Sequence, residues 1–239
     1  MRRATNRILV IGSAMLLGIF GLAAGPLSSS ANALPQDVEA LTFGNSYGEW
    51  SARWWQWLLS IPAAVNPNLD ATGANCQQGQ SANVWFLAAT FGGPAVRSCT
   101  VPVGKALFFP LINNVGFQPN PTDTLNSLRK QAAGPIDNVS ITSLVCSIDG
   151  VRCAVDLSLF RVTSPSFSLI SPPGGLLTAG GYNDTTNPPF VSDGYWMFVG
   201  PLLRGHHVIK FGGSSSGDPS AVPPVSPFSV DVTYNLTVQ

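Results

Sequence analysis

The chain has 239 residues, only 10% of them charged, with 12 basic against 12 acidic side chains and a formal charge of zero. Without a clustered basic surface there is no electrostatic footprint for nucleic acid, whose binding depends on neutralising phosphates. The low charge, together with 24 glycines and 20 prolines, argues against a helical, charge-rich cytosolic enzyme and suits a loop-rich β protein.

In chain order, Arg2, Arg3 and Arg7 precede an uncharged stretch from Ile8 to Ala24, and Ala31, Asn32 and Ala33 form a small-x-small cleavage pattern. These are the three parts of a signal peptide, read over residues 1–33. Gly12, Gly18 and Gly21 interrupt the apolar run and Gly25-Pro26 ends it, short of the roughly 20 residues of a spanning helix. No membrane span is expected after cleavage. The paired arginines lack the apolar pair that follows them in a twin-arginine leader. Processing before Leu34 leaves nine basic and 12 acidic residues, a formal charge of −3, and a secreted, periplasmic or envelope location. Residues 34–45 are read as an extension and 46–239 as one domain, long enough for a single buried core.

Residues 46–60, SYGEWSARWWQWLLS, predict an amphipathic helix. Ser46 and Glu49 fit a capping box, and Pro62 ends the segment. At helical spacing Tyr47, Trp50, Trp54, Trp57, Leu58 and Ile61 share a stripe, opposite Glu49, Arg53, Gln56 and Ser60. No other segment after the signal reads convincingly as a helix. From Val84 onward, short apolar runs at 84–91, 105–112, 195–200 and 206–211 have the length of buried strands. Segment 139–162 reads as a hairpin turning at Asp149-Gly150. From Phe228 to Val238 apolar and polar residues alternate, the mark of a strand with one buried face. These strands have connections too short for crossover helices. The expected fold is therefore all-β, an antiparallel β-sandwich of jelly-roll type with the N-terminal helix packed on it. Segments 163–194 and 212–227, rich in Ser, Pro and Gly, are expected to be long irregular loops, which in a compact domain are usually either functional or disordered.

All four cysteines lie after the cleavage site, and in an oxidising compartment an even count reads as disulfides. The Asp149-Gly150 turn sets Cys146 opposite Cys153, and Cys76 with Cys99 follows by elimination. Zinc spacings of the CxxC kind are missing from both pairs, so no metal or cofactor is expected. GxSxG, P-loop and dinucleotide signatures are also missing.

The strings ARWWQWLLSIP, TGANC, GQSANVWFLAATFGG, CTVPVGKALFFPLIN, DGYW and HHVIKFGG together resemble a group of exported bacterial proteins without an assigned reaction. The resemblance covers most of the chain after residue 33. It implies export and a single domain, and lends no catalytic residue.

For acid-base chemistry the candidates are Glu49 with Asp193 or Asp70, and His206, since His206 and His207 are the only histidines. Two carboxylates at suitable separation could hydrolyse glycosides. Against this, Glu49 has structural work in the capping box and beside Arg53, and Asp193 suits a turn before Gly194. Adjacent histidines in a strand face opposite ways, with His206 exposed and His207 partly buried. The six Trp and four Tyr suggest sugar stacking. Trp55, off the helix stripe, and Tyr182, Tyr195 and Trp196, flanking the long loop, are the ligand-binding candidates. Asn138, Asn183 and Asn235 begin N-x-Ser/Thr patterns, relevant only in a glycosylating cell. The functional expectation is an exported binder of carbohydrate or another extracellular ligand. An extracellular polysaccharide-active enzyme of the glycosidase or lyase class, or a structural, partner-binding envelope protein, are the alternatives.

Overall fold

The structure, a computed structural model, describes residues 42–117, 122–153, 155–182, 189–221 and 224–239. The expected signal peptide, most of the extension that follows it, and Asn183 lie outside the described residues.

Helix α1 spans Tyr47–Leu59. Its capping box forms as predicted. The Glu49 carboxylate accepts from the Ser46 N–H at 2.7 Å and the Ser46 hydroxyl accepts from the Glu49 N–H at 3.3 Å. The whole predicted stripe, Tyr47 to Ile61, is buried.

Among the described residues, nine strands make two mixed sheets. The first contains β1 (Val84–Phe86), β3 (Ala106–Phe117), β7 (Phe190–Val199) and β6 (Arg161–Thr163), in the order β1-β3-β7-β6. The second contains β2 (Gly93–Val101), β9 (Phe228–Val238), β8 (Gly205–Ser215), β4 (Val145–Ile148) and β5 (Val151–Arg152), in the order β2-β9-β8-β4-β5. The Phe109 ring of β3 stacks on Phe211 of β8 at 4.6 Å, so the two sheets meet face to face there. On its other face the first sheet carries α1. Trp54 meets Trp196 edge-on at 5.4 Å, and the Tyr47 hydroxyl accepts from the Phe198 N–H at 3.2 Å. Covered on both sides, β7 buries all ten of its residues, which is why its sequence reads as a continuous apolar run. Along β9 buried and more exposed positions alternate, as predicted.

Several expectations need correcting. The sheets are not wholly antiparallel, because β1 pairs parallel with β3 and β2 parallel with β9. A parallel pair needs a crossover, usually a helix. Here the connection from β1 to β3 is made by β2, a strand of the opposite sheet, so the lack of crossover helices did not exclude parallel neighbours. Strand β2 itself was missed within GGPAVRSCTV. A second full helix, α2 (Leu125–Asp137), is also present. Its Thr124/Ser127 capping box replaces the usual Glu or Gln with Ser, and Pro135 lies within it, so its start signal is weakened and a helix-breaking residue falls inside it. Leu128 and Ala132 of α2 pack with Val191 of β7. The helix presses on β3 so closely that a Cβ at Gly116 would lie 2.2 Å from the Leu128 carbonyl oxygen.

The 139–162 hairpin is shorter than expected, with 3₁₀ turns at Ile141–Ser143 and Leu157–Phe160 flanking β4 and β5. Its turn is as predicted: φ is +53° at Asp149 and +79° at Gly150, the two left-handed residues of a type I′ turn. Residues 212–215, expected as loop, extend β8, and the 163–194 segment contains a short helix, α3 (Leu176–Ala179). Disulfides join Cys76 to Cys99 and Cys146 to Cys153, with Cα–Cα separations of 6.0 and 5.4 Å. Both expected pairings are present, and they fit an oxidising compartment.

Candidate functional site

The register of β3 shifts between Pro110 and Ile112. A strand alternates its side chains between faces. The shift therefore turns Asn113, Val115 and Phe117 toward the side where Phe108 meets Trp50 of α1. These three, with Trp54, Trp55 and Leu59 of α1, form two walls of a cleft of about 630 Å³. Leu176 and Leu177 of α3, then Tyr182, continue it, and the 89–91 turn and 225–228 segment complete it. Its size falls in the usual range for small-molecule sites.

No described residue lining this cleft is charged; its polarity comes from amides, two indoles and hydroxyls. Some of these groups are committed. The Trp54 Nε1–H donates to the Leu87 carbonyl at 3.0 Å, and the Asn114 Nδ2 group donates to the Gln131 carbonyl at 2.8 Å. Three others are buried and have no hydrogen-bond partner: Trp55 Nε1, Asn68 Oδ1 and Asn113 Nδ2. Buried polar atoms are nearly always paired, so three unpaired ones on residues of a single cleft are unusual.

The wall is braced from behind by Arg97, which sits at an inward position of β2 and is 1% exposed. Its guanidinium donates to the carbonyls of Asp70 at 2.6 Å, Ala88 at 2.6 Å, Ala89 at 2.8 Å and Asn68 at 3.3 Å. The ring of Tyr234 lies beneath it, 5.6 Å away. Two of these carbonyls belong to cleft residues, Asn68 and Ala89, so the arginine fixes where they stand. Burial raises the pKa of the Tyr234 hydroxyl, which bonds both the N–H and the carbonyl of Ala88. Burial also pushes the Asp70 carboxyl upward, but bonds from the Asn75 N–H and from the Thr72 hydroxyl and N–H outweigh it and hold the carboxyl below its ordinary value.

The acid-base candidates do not meet. Glu49 is engaged in the capping box, and the N–H and hydroxyl of Ser46 lower its pKa. Asp193 is buried, accepting from Arg161 Nε at 2.8 Å and from the Thr163 hydroxyl at 2.6 Å, while Arg161 also reaches Asp137. His206 is exposed on the second sheet, its Nδ1 3.2 Å from the Thr237 hydroxyl, and lines a separate polar hollow of about 490 Å³ with Ser98 and Asn235. His207 is partly buried as expected, between the Asp149 carboxylate at 2.8 Å and the Leu203 carbonyl at 2.9 Å.

The aromatic candidates divide. Trp55 and Tyr182 both line the cleft. Tyr182 is 42% exposed, with its ring edge-on to Phe117 at 4.6 Å. Trp55, expected on the open face of the helix, is only 5% exposed, because α1 is covered on that side as well. Trp196 is wholly buried and stacks on Phe108 at 5.2 Å, and Tyr195 is buried on the opposite face of β7. Both are core residues, not loop aromatics, because β7 begins at Phe190 and carries them into the sheet. Sequence reasoning missed Asn68, Asn113 and Phe117. Only the polar pair Asn113-Asn114, directly after an apolar strand run, hinted at them.

Among the described residues no group of three His, Cys, Asp or Glu side chains could hold a metal, and no helix is long and apolar enough to cross a membrane. Comparison with family models, curated proteins and solved structures finds no match to this chain.

Proposed function

We propose that this chain is an exported protein that binds carbohydrate in the cleft between α1 and the end of β3. The observation that carries the reading is the composition of that cleft: aromatic and aliphatic walls, no charge among its described residues, and the polar side chains of Asn68, Thr90, Asn113, Tyr182 and Ser226 set among them. A sugar ring presents an apolar face of C–H groups and a rim of polar groups. Rigid aromatic surfaces match the first at little entropic cost, and amide and hydroxyl groups match the second. The leader pattern at 1–33, the two disulfides and the resemblance to exported bacterial proteins support the extracellular setting. The two face-to-face sheets are read as a sandwich, a jelly-roll relative in which two pairings have become parallel.

Glycosidase chemistry gains less support. It uses two carboxylates about 5–9.5 Å apart across a bound sugar, whereas Glu49 and Asp193 are engaged in a helix cap and an ion pair. A glycan array and a polysaccharide depolymerisation screen on the purified protein test both readings. Binding that falls with Tyr182→Ala and Phe117→Ala, without product release, is the expected result. Absence of any glycan binding would remove the carbohydrate reading.

A further inference from the structure

We infer that the interior of the cleft seats an uncharged apolar substituent of the bound glycan, an alkyl or aryl group, while the sugar itself stays at the rim; this rests on the carbohydrate reading above and names the class of glycoconjugate. The lining is layered by depth. Trp54, Trp55, Leu59, Ala89, Leu176 and Leu177 are all buried, and they form the floor and inner walls. Phe91 and Tyr182 are 59% and 42% exposed, and Ser226 is exposed as well; these make the rim.

Most polar atoms of the lining have nothing to give a ligand deep in the cleft. The Trp54 indole and the Asn114 amide donate to backbone carbonyls, and the Thr90 hydroxyl donates to the Gly93 carbonyl at 3.0 Å. Trp55 Nε1, Asn68 Oδ1 and Asn113 Nδ2 are sealed from solvent. A sugar hydroxyl placed in that interior would exchange water for few partners, which leaves it unsatisfied. A charged group would fare worse, because no described lining residue carries a counter-charge. A hydrocarbon group loses nothing there, and each methylene it buries is favourable. At the rim the balance reverses: the rings of Phe91 and Tyr182 can stack on the apolar face of a sugar whose hydroxyls remain in water. The hollow beside His206 is polar, and the one lined by Arg53 carries a charge, so neither offers an uncharged apolar interior.

Methyl and octyl β-D-glucoside, the latter below its micellar concentration, share a sugar and differ in the substituent; 1-octanol supplies the substituent without the sugar. Isothermal titration should show octyl glucoside binding at least about tenfold tighter than methyl glucoside, a ratio that burial of about two methylenes supplies. The apolar dye N-phenyl-1-naphthylamine should brighten on binding and be displaced by octyl but not by methyl glucoside. Val115→Thr keeps the shape of a wall residue and adds a hydroxyl. It should reduce octyl glucoside affinity at least about fivefold and leave methyl glucoside unaffected, with the thermal midpoint reporting that the fold is intact. Equal affinity for the two glucosides, no binding of the dye, or full octyl glucoside affinity in Val115→Thr would overturn this inference and leave the carbohydrate reading to the glycan array. If 1-octanol binds as tightly as octyl glucoside, the sugar contributes nothing: the carbohydrate reading falls, and with it the glycan part of this inference, while the apolar interior stands.

Discussion

Arg97 occupies an inward position of β2 where alternation calls for an apolar side chain, and every hydrogen bond it makes goes to a neutral oxygen, four of them backbone carbonyls. Its role is to satisfy the backbone of two loops that bend over the core. Arg97→Met keeps much of the volume but strands those carbonyls, and each buried unsatisfied group costs about 1–3 kcal/mol. We expect a loss of at least about 3 kcal/mol in urea denaturation, together with weakened glycan binding; wild-type stability would show that the carbonyls find other partners. Asp70 gives a pH signature at the same loop. Its carboxyl is held below its ordinary value, so its contribution is fully present above about pH 4 and is lost as the pH falls through the lowered value. Glu49, Asp156 and Asp218 are lowered as well and have the same sign. Denaturation midpoints between pH 2 and 7 should therefore fall on the acid side, and Asp70→Asn, which cannot titrate, should be weaker at neutral pH with a shallower acid limb.

Among the elements, β7 links the core to the cleft through Gly194. A Cβ there would lie 2.6 Å from the Cβ of Asn113, its partner across the β3–β7 ladder. Gly194→Ala must push β3 aside at a cleft residue, and overpacking of this kind costs about 1–3 kcal/mol. Calorimetry should show the lost stability and titration a loss of glycan affinity, whereas an unaffected affinity would mean that Asn113 does not contact the ligand. The Cys76–Cys99 bridge pins the 73–80 turns to β2 across a separation of 23 residues. Loop-closure entropy assigns a bridge of that span about 3 kcal/mol. Replacing both cysteines by Ser should lower stability by about that amount, and a change near zero would mean the turns are already restrained by Arg97 and the Thr72–Ser98 backbone bond. Local chemistry made several elements readable: the α1 capping box, the Asp149-Gly150 turn, the β9 alternation and the placement of Cys146 opposite Cys153. Helix α2 was unreadable for the converse reason, since its helical state depends on packing against β3 and β7 and its own sequence carries Gly134 and Pro135.

Across the whole molecule, the candidate residues separate into three places. Glu49 caps the start of α1, Asp193 is locked to Arg161 in the first sheet, and His206 lies on the outer surface of the second, while the cleft draws on none of them. Glu49→Gln and His206→Ala should thus leave glycan affinity within about twofold of wild type, as expected for surface changes away from a site. A larger loss in either variant would relocate the site. The sequence by itself determined the features that neighbouring residues decide: where α1 starts and stops, which cysteines face each other across the hairpin, and which strand has one wet face. Only the tertiary structure decided that two strand pairs run parallel, that Trp55 and Trp196 are buried, and that Trp55, Asn68 and Asn113 line one cleft. The physical reason is that burial and pairing depend on what covers a surface. Helical and strand periods show which side chains share a face, but not that segments more than a hundred residues further along close over the second face of α1.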